Sequence, residues 1–149
     1  MILLSRRSLL AIAAVVDIAL HARPQPVSAK AMAARQNIPP RHLETVLQAL
    51  VRHGILKGVR GPRGGYELAR ERRRITAGDI VRAAMSATGE DGLPALPKSH
   101  LVDEVIGPVV KAASEAFLAE LDRFTVDDLC HRVQPETTST RHLESDFTI

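Results

Sequence analysis

The stretch from residue 38 to residue 54, IPPRHLETVLQALVRHG, constrains the fold most, because it predicts an amphipathic helix with well-defined ends. Its apolar residues recur at helical spacing and form one stripe, while the polar residues between them point elsewhere. Two prolines fit the helix start, where a missing backbone N–H costs little, and a glycine fits the position just past the last turn. The stripe predicted to be buried consists of Leu43, Val46, Leu47, Leu50 and Val51.

The segments on either side of this helix predict a helix-turn-helix followed by a hairpin. Before it, Ser28 is placed to cap a short helix and Asn37 to close it. After it, residues 55–60 and 66–69 are strand-like, and the glycines of the GPRGG sequence between them supply the backbone angles of a tight turn. Helix, turn, helix and hairpin, in that order, predict a mainly α-helical chain with a winged helix-turn-helix and a two-stranded wing.

Three sequences, HLETVLQALVRHGIL, VRGPRGGYELAR and ITAGDIVRA, resemble the Rrf-two family of bacterial winged-helix regulators, which includes the iron-sulfur cluster regulator and the cysteine metabolism repressor. The similarity is close from about Leu9 to Ala84, and the VRGPxGGY pattern is its specific part. The resemblance implies a dimeric transcription factor. Many members hold an iron-sulfur cluster on three cysteines after the fourth helix. This chain has a single cysteine, Cys130, so we expect no cofactor and no cluster of the family type.

The two halves of the chain carry opposite charge. Residues 1–82 contain 15 Lys and Arg against 5 Asp and Glu, whereas residues 83–149 contain 5 against 12. The basic half would attract a polyanion such as double-stranded DNA. Enzyme motifs such as HExxH and GxSxG are missing, and the glycine-rich run lacks the Lys-Ser/Thr ending of a P-loop. We predict a DNA-binding regulator, with a module that binds a protein partner as the alternative; the sequence names no effector.

The candidate DNA contacts lie on the second helix, in the wing and at the starts of the two helices. Arg41 and His42, in the first turn of the second helix, are placed to reach base edges in the major groove. Glu44 either accepts from a cytosine amino group or only orients its neighbours. Arg60 and Arg63, in the wing, would enter or border the minor groove. The full predicted set is Ser28, Lys30, Pro39, Arg41, His42, Glu44, Arg60, Gly61, Arg63 and Gly64. Further phosphate contacts, or merely solvated charges, are Lys30, Arg35, Lys57 and the basic run at 70–74.

The first thirty residues allow two interpretations. Paired arginines, an apolar run and a VSA sequence resemble a secretory signal, even a twin-arginine one. Asp17 interrupts the apolar run, however, and we favour a first core helix that buries Leu9, Ile12, Ala13, Val16, Ala19 and Leu20 and leaves Arg6, Arg7, Asp17 and His21 outside. No other stretch approaches membrane-spanning length. One cysteine cannot form an intrachain disulfide, which agrees with a cytoplasmic protein.

Residues 101–124 are helical in pattern and more apolar than one buried face requires. The excess predicts a second partner, most simply the same helix of another copy, and so a two-fold homodimer. Gly107-Pro108 inside this run should kink the helix or delay its start. The predicted dimer interface consists of Leu101, Val105, Val109, Phe117 and Leu121.

These patterns divide the chain into a winged helix-turn-helix domain at 1–85, a linker at 86–98, a dimerisation helix with a short terminal helix at 99–133, and a flexible tail at 134–149. Capping pairs at Thr76 and Thr125 predict helix starts there. On the terminal helix, Asp127, Cys130 and His131 share one side. We favour a surface turn with a half-buried cysteine over a metal site. A redox switch, in which Cys130 pairs between subunits or with a small thiol, is a third interpretation that stays open.

Overall fold

The computed structural model describes residues 4–86 and 98–133. Within these residues the fold consists of six α-helices, one short 3-10 turn, one π-helical turn and a two-stranded antiparallel sheet, which confirms the predicted fold class. Most of the predicted linker and the whole predicted tail lie outside the described residues. The elements are α1 (Arg6–His21), α2 (Ala29–Gln36), α3 (Pro40–Arg52), β1 (Leu56–Val59), β2 (Gly65–Leu68), the 3-10 turn (Arg72–Arg74), α4 (Ala77–Ser86), the π-helical turn (Leu101–Ile106), α5 (Gly107–Leu121) and α6 (Val126–Val133).

Helix α1 is a core helix, as predicted, but its predicted buried face is only partly right: Ala19 is buried, and Ile12, Val16 and Leu20 are half-buried against the core. Ala11, Val15 and Ile18 are fully buried, whereas Leu9 is 38% exposed. Asp17, predicted to lie outside, is only 4% exposed. The predicted face was chosen from hydrophobicity alone. That criterion does not show that Asp17 can be buried because Arg35 and Gln36 of α2 donate hydrogen bonds to it.

The helix-turn-helix forms as the sequence predicted. Ser28 Oγ accepts a hydrogen bond from the Ala31 N–H at 3.1 Å, and Asn37 ends α2 in the left-handed conformation with φ of 53°. Proline occupies the first turn of α3, and Gly54, just past its end, has φ of +71°. Both ends of α3 are therefore set by local sequence, which fixes the length of the helix that carries Arg41.

The wing is joined to the segment before α2 by an isolated β-bridge that the sequence did not predict. Strands β1 and β2 pair in antiparallel register, with Leu56 opposite Leu68. Val27 adds to the outer edge of β2, where its N–H donates to the Tyr66 carbonyl at 3.0 Å and its carbonyl accepts from the Tyr66 N–H at 2.8 Å. The start of α2 and the wing are thereby joined into one unit.

Helix α4 starts at a capping pair, as predicted. The Asp79 N–H donates to Thr76 Oγ1 at 3.0 Å, and the Thr76 N–H donates to the Asp79 carboxylate at 3.1 Å. Ile80 and Val81 are fully buried, and α4 packs on α1 and α3. The core therefore lies between these three helices, with α6 closing it through Val126 and Cys130.

The apolar run after residue 100 begins as a π-helical turn and becomes an α-helix at Gly107. The Gly107 N–H donates to the carbonyl of Val102, five residues earlier, and Pro108 stands in the first turn of α5. Of the kink or delayed start predicted from Gly107-Pro108, the structure shows a delay of the α-helical part only, since π-helical backbone precedes Gly107. None of the helices in the described ranges combines the length and apolarity that crossing a membrane requires.

Candidate nucleic-acid interface

The first turn of α3 presents its polar residues to solvent. Arg41, His42 and Glu44 are all exposed, while Leu43 between them is fully buried. This alternation arises because burial of the apolar stripe fixes the rotation of α3 about its axis. The stripe itself is as predicted except at its end: Val51 is 36% exposed, and Ala49 is buried in addition.

Two further residues on this face, Thr45 and Gln48, were not among the predicted DNA contacts. Thr45 and Gln48 are exposed and follow Arg41 at i+4 and i+7, so they lie on the same side of α3. Thr45 Oγ1 makes a long, 3.5 Å contact with the Arg41 carbonyl. The helical spacing from Arg41 was the available signal for both residues.

The wing tip is small, tightly turned and cationic. Arg60 and Arg63 are exposed on either side of Gly61, whose φ of +124° is a conformation that L side chains rarely adopt. The Gly64 N–H donates to the Gly61 carbonyl at 3.0 Å and closes the turn. A side-chain carbon at Gly64 would overlap the Val59 carbonyl. Glycine is thus required at these two positions for the turn that displays the arginines.

The structure brings the start of α2 next to the wing. Ser28 and Arg63 line one cleft of about 410 Å³ together with Gly64. The cause is the bridge between Val27 and Tyr66, and Gly65 is close enough that a side-chain carbon there would overlap the Val27 carbonyl. Lys30 is exposed on α2, and Pro39 is exposed at the cap of α3. Contact of these residues with DNA stays a prediction.

Several cations proposed as phosphate contacts have partners inside the protein. Arg35 donates to Asp17 through Nη2 at 2.7 Å and Nε at 3.2 Å, so its assignment as a phosphate contact is better replaced by a structural role. Lys57 pairs with Glu67 at 3.2 Å. In the basic run, Arg72 Nη2 donates to the Ala19 carbonyl at 2.8 Å, and Arg73 lies 3.6 Å from Asp127.

Arg41 of α3 and the two wing arginines, unlike most of these cations, have no acidic partner in the part of the chain that the structure describes. Among the described residues, Arg41, Arg60 and Arg63 take part in no ion pair, and all three are exposed. Their charge is therefore not neutralised by a neighbouring carboxylate, which is what contact with a phosphate or a base edge requires.

The apolar surface predicted for dimerisation is exposed at its first half. Leu101 is 59% exposed, Val105 50% and Val109 68%. Phe117 and Leu121 are half-buried, because the second half of α5 contacts α4 of the same chain. The predicted set therefore divides into residues available to a partner and residues already engaged within the chain.

The terminal helix gives no support to a metal site. Cys130, predicted to be half-buried, is only 1% exposed, because α6 packs it into the core. His131 is exposed and contacts the backbone carbonyl of Asp127 at 2.7 Å through Nδ1. Burial raises the pKa of the Cys130 thiol, which disfavours the thiolate that metal binding needs. Groups of three or more His, Cys, Asp or Glu that could hold a metal ion do not occur at 4–86 or 98–133.

Comparison with known proteins decides the family. The family model Rrf2, described as an iron-dependent transcriptional regulator, matches residues 4–132. The chain is a member of the Rrf2 family. Rrf2 is the Rrf-two family that the three sequence segments resembled, so that assignment is confirmed.

The relatives of this Rrf2-family chain are regulators, not enzymes. A protein of Synechocystis named as an HTH-type transcriptional regulator is 36% identical over 131 residues, 85% of this chain and 86% of the relative. The protein named rrf2 of Nitratidesulfovibrio vulgaris is 34% identical over 118 residues, 76% of this chain and 77% of that protein.

Solved structures of Rrf2-type regulators share the fold. The T. potens IscR structure has a TM-score of 0.67 at 30% identity, and the superposition covers 91% of this chain and 90% of that one. The structure of CymR, the global cysteine regulator of B. subtilis, has a TM-score of 0.63 at 26% identity, with coverage of 89% and 98%.

Proposed function

We propose that this chain acts as a cytoplasmic homodimer that binds a two-fold operator and represses transcription, with α3 in the major groove and the wing at the minor groove. The observation that carries the proposal is the exposed, unneutralised arginine set of α3 and the wing on a chain of the Rrf2 family. Arginine pairs with guanine through two hydrogen bonds, worth about 1–3 kcal/mol of discrimination per contact. A dimer seated on a promoter would exclude RNA polymerase, which is the basis of the proposed repression.

The remaining assignments follow from position. Arg41 and His42 would contact base edges, and Glu44, Thr45 and Gln48 would complete the face of α3 that enters the groove. In the wing, Arg60 and then Arg63 would prefer narrow A·T-rich minor grooves, with Gly61 and Gly64 allowing close backbone approach. Ser28 and Lys30, at the start of α2, would contact phosphates, which fix register without reading sequence. Pro39, at the start of α3, has no N–H to donate and would touch the DNA only through its ring.

The homodimer is proposed from the apolar face formed by Leu101, Val105 and Val109. Exposed apolar surface of this kind on one helix is most simply buried against the same helix of a second copy. A monomer by sedimentation at micromolar concentration would overturn this part. Val109→Glu should convert the dimer to a monomer. The control is Lys111→Glu on the same exposed helix, which introduces the same side chain without removing apolar surface and should leave the protein dimeric.

We also propose that the chain works without the iron-sulfur cluster suggested by the description of its family as iron-dependent. The residues present do not fit such a cluster, because clusters of this type are held by several thiolates and the chain offers only the buried Cys130. Iron and sulfide analysis of anaerobically purified protein tests this. Stoichiometric iron and sulfide would overturn it.

The experiment for the proposed function is selection of bound sequences from random duplex DNA. The expected product is a two-fold sequence with half-sites about one or two helical turns apart. Binding to it should weaken steeply between low and physiological salt, because phosphate contacts release counterions. A reporter carrying the selected sequence in its promoter should be less active when the protein is present. Failure to enrich any sequence, with salt-independent retention on DNA, would instead favour a module that binds a protein.

A further inference from the structure

A cluster of four residues fastens the end of α5 to the start of α4; we name it the α4–α5 junction, and it consists of Thr76, Gly78, Arg82 and Asp122. Asp122, just past the end of α5, accepts hydrogen bonds from Arg82 Nη1 at 2.8 Å, Arg82 Nη2 at 2.7 Å and Thr76 Oγ1 at 3.0 Å. Because the guanidinium is planar and binds both carboxylate oxygens, the pair fixes an orientation as well as a distance.

Close backbone approach completes the junction. A side-chain carbon at Gly78 would overlap the Asp122 carboxylate and would lie 3.0 Å from the Leu118 carbonyl. Two backbone hydrogen bonds continue the attachment beyond it: the Ala77 N–H donates to the Phe124 carbonyl at 2.8 Å, and the Val126 N–H donates to the Ile75 carbonyl at 2.8 Å. The end of α5 therefore has little freedom to rotate against α4.

The junction connects the DNA-binding body of the molecule to the helix proposed for dimerisation, and a dimeric regulator must hold these two parts at a fixed angle. Helix α4 packs on α1 and α3 and so belongs to the body that displays Arg41, whereas α5 leads to the exposed apolar face at Val109. A helix of 15 residues is about 22 Å long, so a rotation of about 10° at one end moves the other by about 4 Å. That displacement is close to one base-pair step of about 3.4 Å.

We propose that the α4–α5 junction sets the half-site spacing of the operator by fixing the angle between the dimerisation helix and the DNA-binding body. This inference rests on the proposed homodimer. Arg82 and Asp122 are positioning residues: they act through the placement of the two α3 helices and not through contact with DNA. Without the junction, each half of the dimer would still bind a half-site, but the dimer would tolerate several different distances between the two half-sites.

The test compares Arg82→Ala with Arg123→Ala in the full-length protein. Both substitutions remove one arginine and one positive charge, but Arg123 is 73% exposed and its ion pair is with Glu120, on α5 itself. Binding is measured to a single half-site and to a series of operators whose half-sites are separated by the selected spacing or by one or two base pairs more or less. Circular dichroism and sedimentation establish that each variant is folded and dimeric.

The parent and Arg123→Ala should lose about tenfold in affinity when the spacing changes by one or two base pairs. In Arg82→Ala the loss should fall to about threefold or less, with half-site affinity unchanged and affinity for the selected spacing reduced. Asp122→Asn, which keeps the side-chain shape, should behave in the same way and serves if Arg82→Ala does not fold.

Three results are adverse and can be told apart. A parent protein that is monomeric overturns the proposed dimer, and this inference with it. A dimeric Arg82→Ala or Asp122→Asn with the parental spacing profile overturns only the role of the junction. A variant that is folded but monomeric also overturns the proposed role of the junction, because the junction would then be needed to form the dimer and not to set the angle between its parts.

Discussion

Arg35 Nη2 lies 2.7 Å from Asp17 Oδ1, and Arg35 Nε lies 3.2 Å from Asp17 Oδ2, so the last turn of α2 is bound to a carboxylate buried in α1. Gln36 Nε2 donates a third hydrogen bond to Asp17 Oδ2 at 2.9 Å. The contact holds the first helix of the helix-turn-helix against the core. It therefore contributes to the placement of α3, which follows α2 after a tight turn.

Removing this carboxylate should destabilise the protein. We expect Asp17→Ala to lower the free energy of unfolding by about 2–3 kcal/mol, because a charge-assisted hydrogen-bond set is lost from a buried site. Urea denaturation measures the change. Glu120→Ala, which breaks an exposed pair with Arg123, is the control and should cost less than about 1 kcal/mol. Equal losses for the two variants would contradict the structural role of Asp17.

Acid should unfold the protein partly through the same residue. Burial raises the pKa of Asp17, but the hydrogen bonds from Arg35 and Gln36 outweigh it, and the net pKa is lowered from its ordinary value of 3.8. A depressed pKa stabilises the fold at pH values above the ordinary pKa, and this stabilisation is lost as the pH falls through the folded value. Stability should therefore decline below about pH 5. The decline should be shallower in Asp17→Asn in urea titrations between neutral and acidic pH; identical slopes would refute the assignment.

Gly65 should be intolerant of any side chain. A methyl group there would overlap the Val27 carbonyl, so Gly65→Ala should separate Val27 from Tyr66 and cost about 1–3 kcal/mol. DNA affinity should also fall, because the start of α2 and the wing would no longer be held together. Gly58→Ala, with nothing within 4 Å of the added carbon, is the matched control and should leave stability and DNA affinity nearly unchanged.

Arg60 should contribute to DNA affinity and not to folding. Arg60→Ala should weaken operator binding by about tenfold and reduce the salt slope by about one, since one cation no longer displaces counterions. Arg123→Ala removes the same charge from the turn after α5 and should have little effect. Fluorescence anisotropy over a salt series measures both quantities. Parental affinity in Arg60→Ala would count against a wing seated in the minor groove.

Cys130 should react slowly with thiol reagents in the folded protein. Its side chain is buried and its thiol pKa is raised by that burial, so modification requires opening of α6. Reaction with Ellman's reagent should be at least about 100-fold slower than for free cysteine and should become fast in denaturant. Rapid modification under native conditions would restore the redox-switch interpretation.

Local sequence was sufficient for the boundaries of α2, α3 and the wing. Ser28 and Asn37 act on backbone groups within a few residues, and Gly61 is needed by its own turn, so these features are encoded where they occur. The edges of the wing strands differ from the predicted ones by a single residue. Of the candidate site, the exposure of Arg41 and His42 followed from the helical pattern, because burial of one helix stripe exposes the opposite side. The exposure of Arg60 and Arg63 followed from their place in the glycine-rich turn of the wing.

What the sequence by itself determined is the winged helix-turn-helix, its cationic residues and the apolar helix, since periodicity and capping act over short distances along the chain. Only the tertiary structure decided which arginines are paired with a carboxylate inside the protein and which remain available to bind DNA. Arg35 and Asp17 are 18 residues apart, and Arg82 and Asp122 are 40 apart, and no pattern along the chain marks them as pairs. Each pair exists because packing places a carboxylate beside a guanidinium, at a buried site for Asp17 and at a partly exposed one for Asp122. That proximity depends on how whole helices are arranged in space.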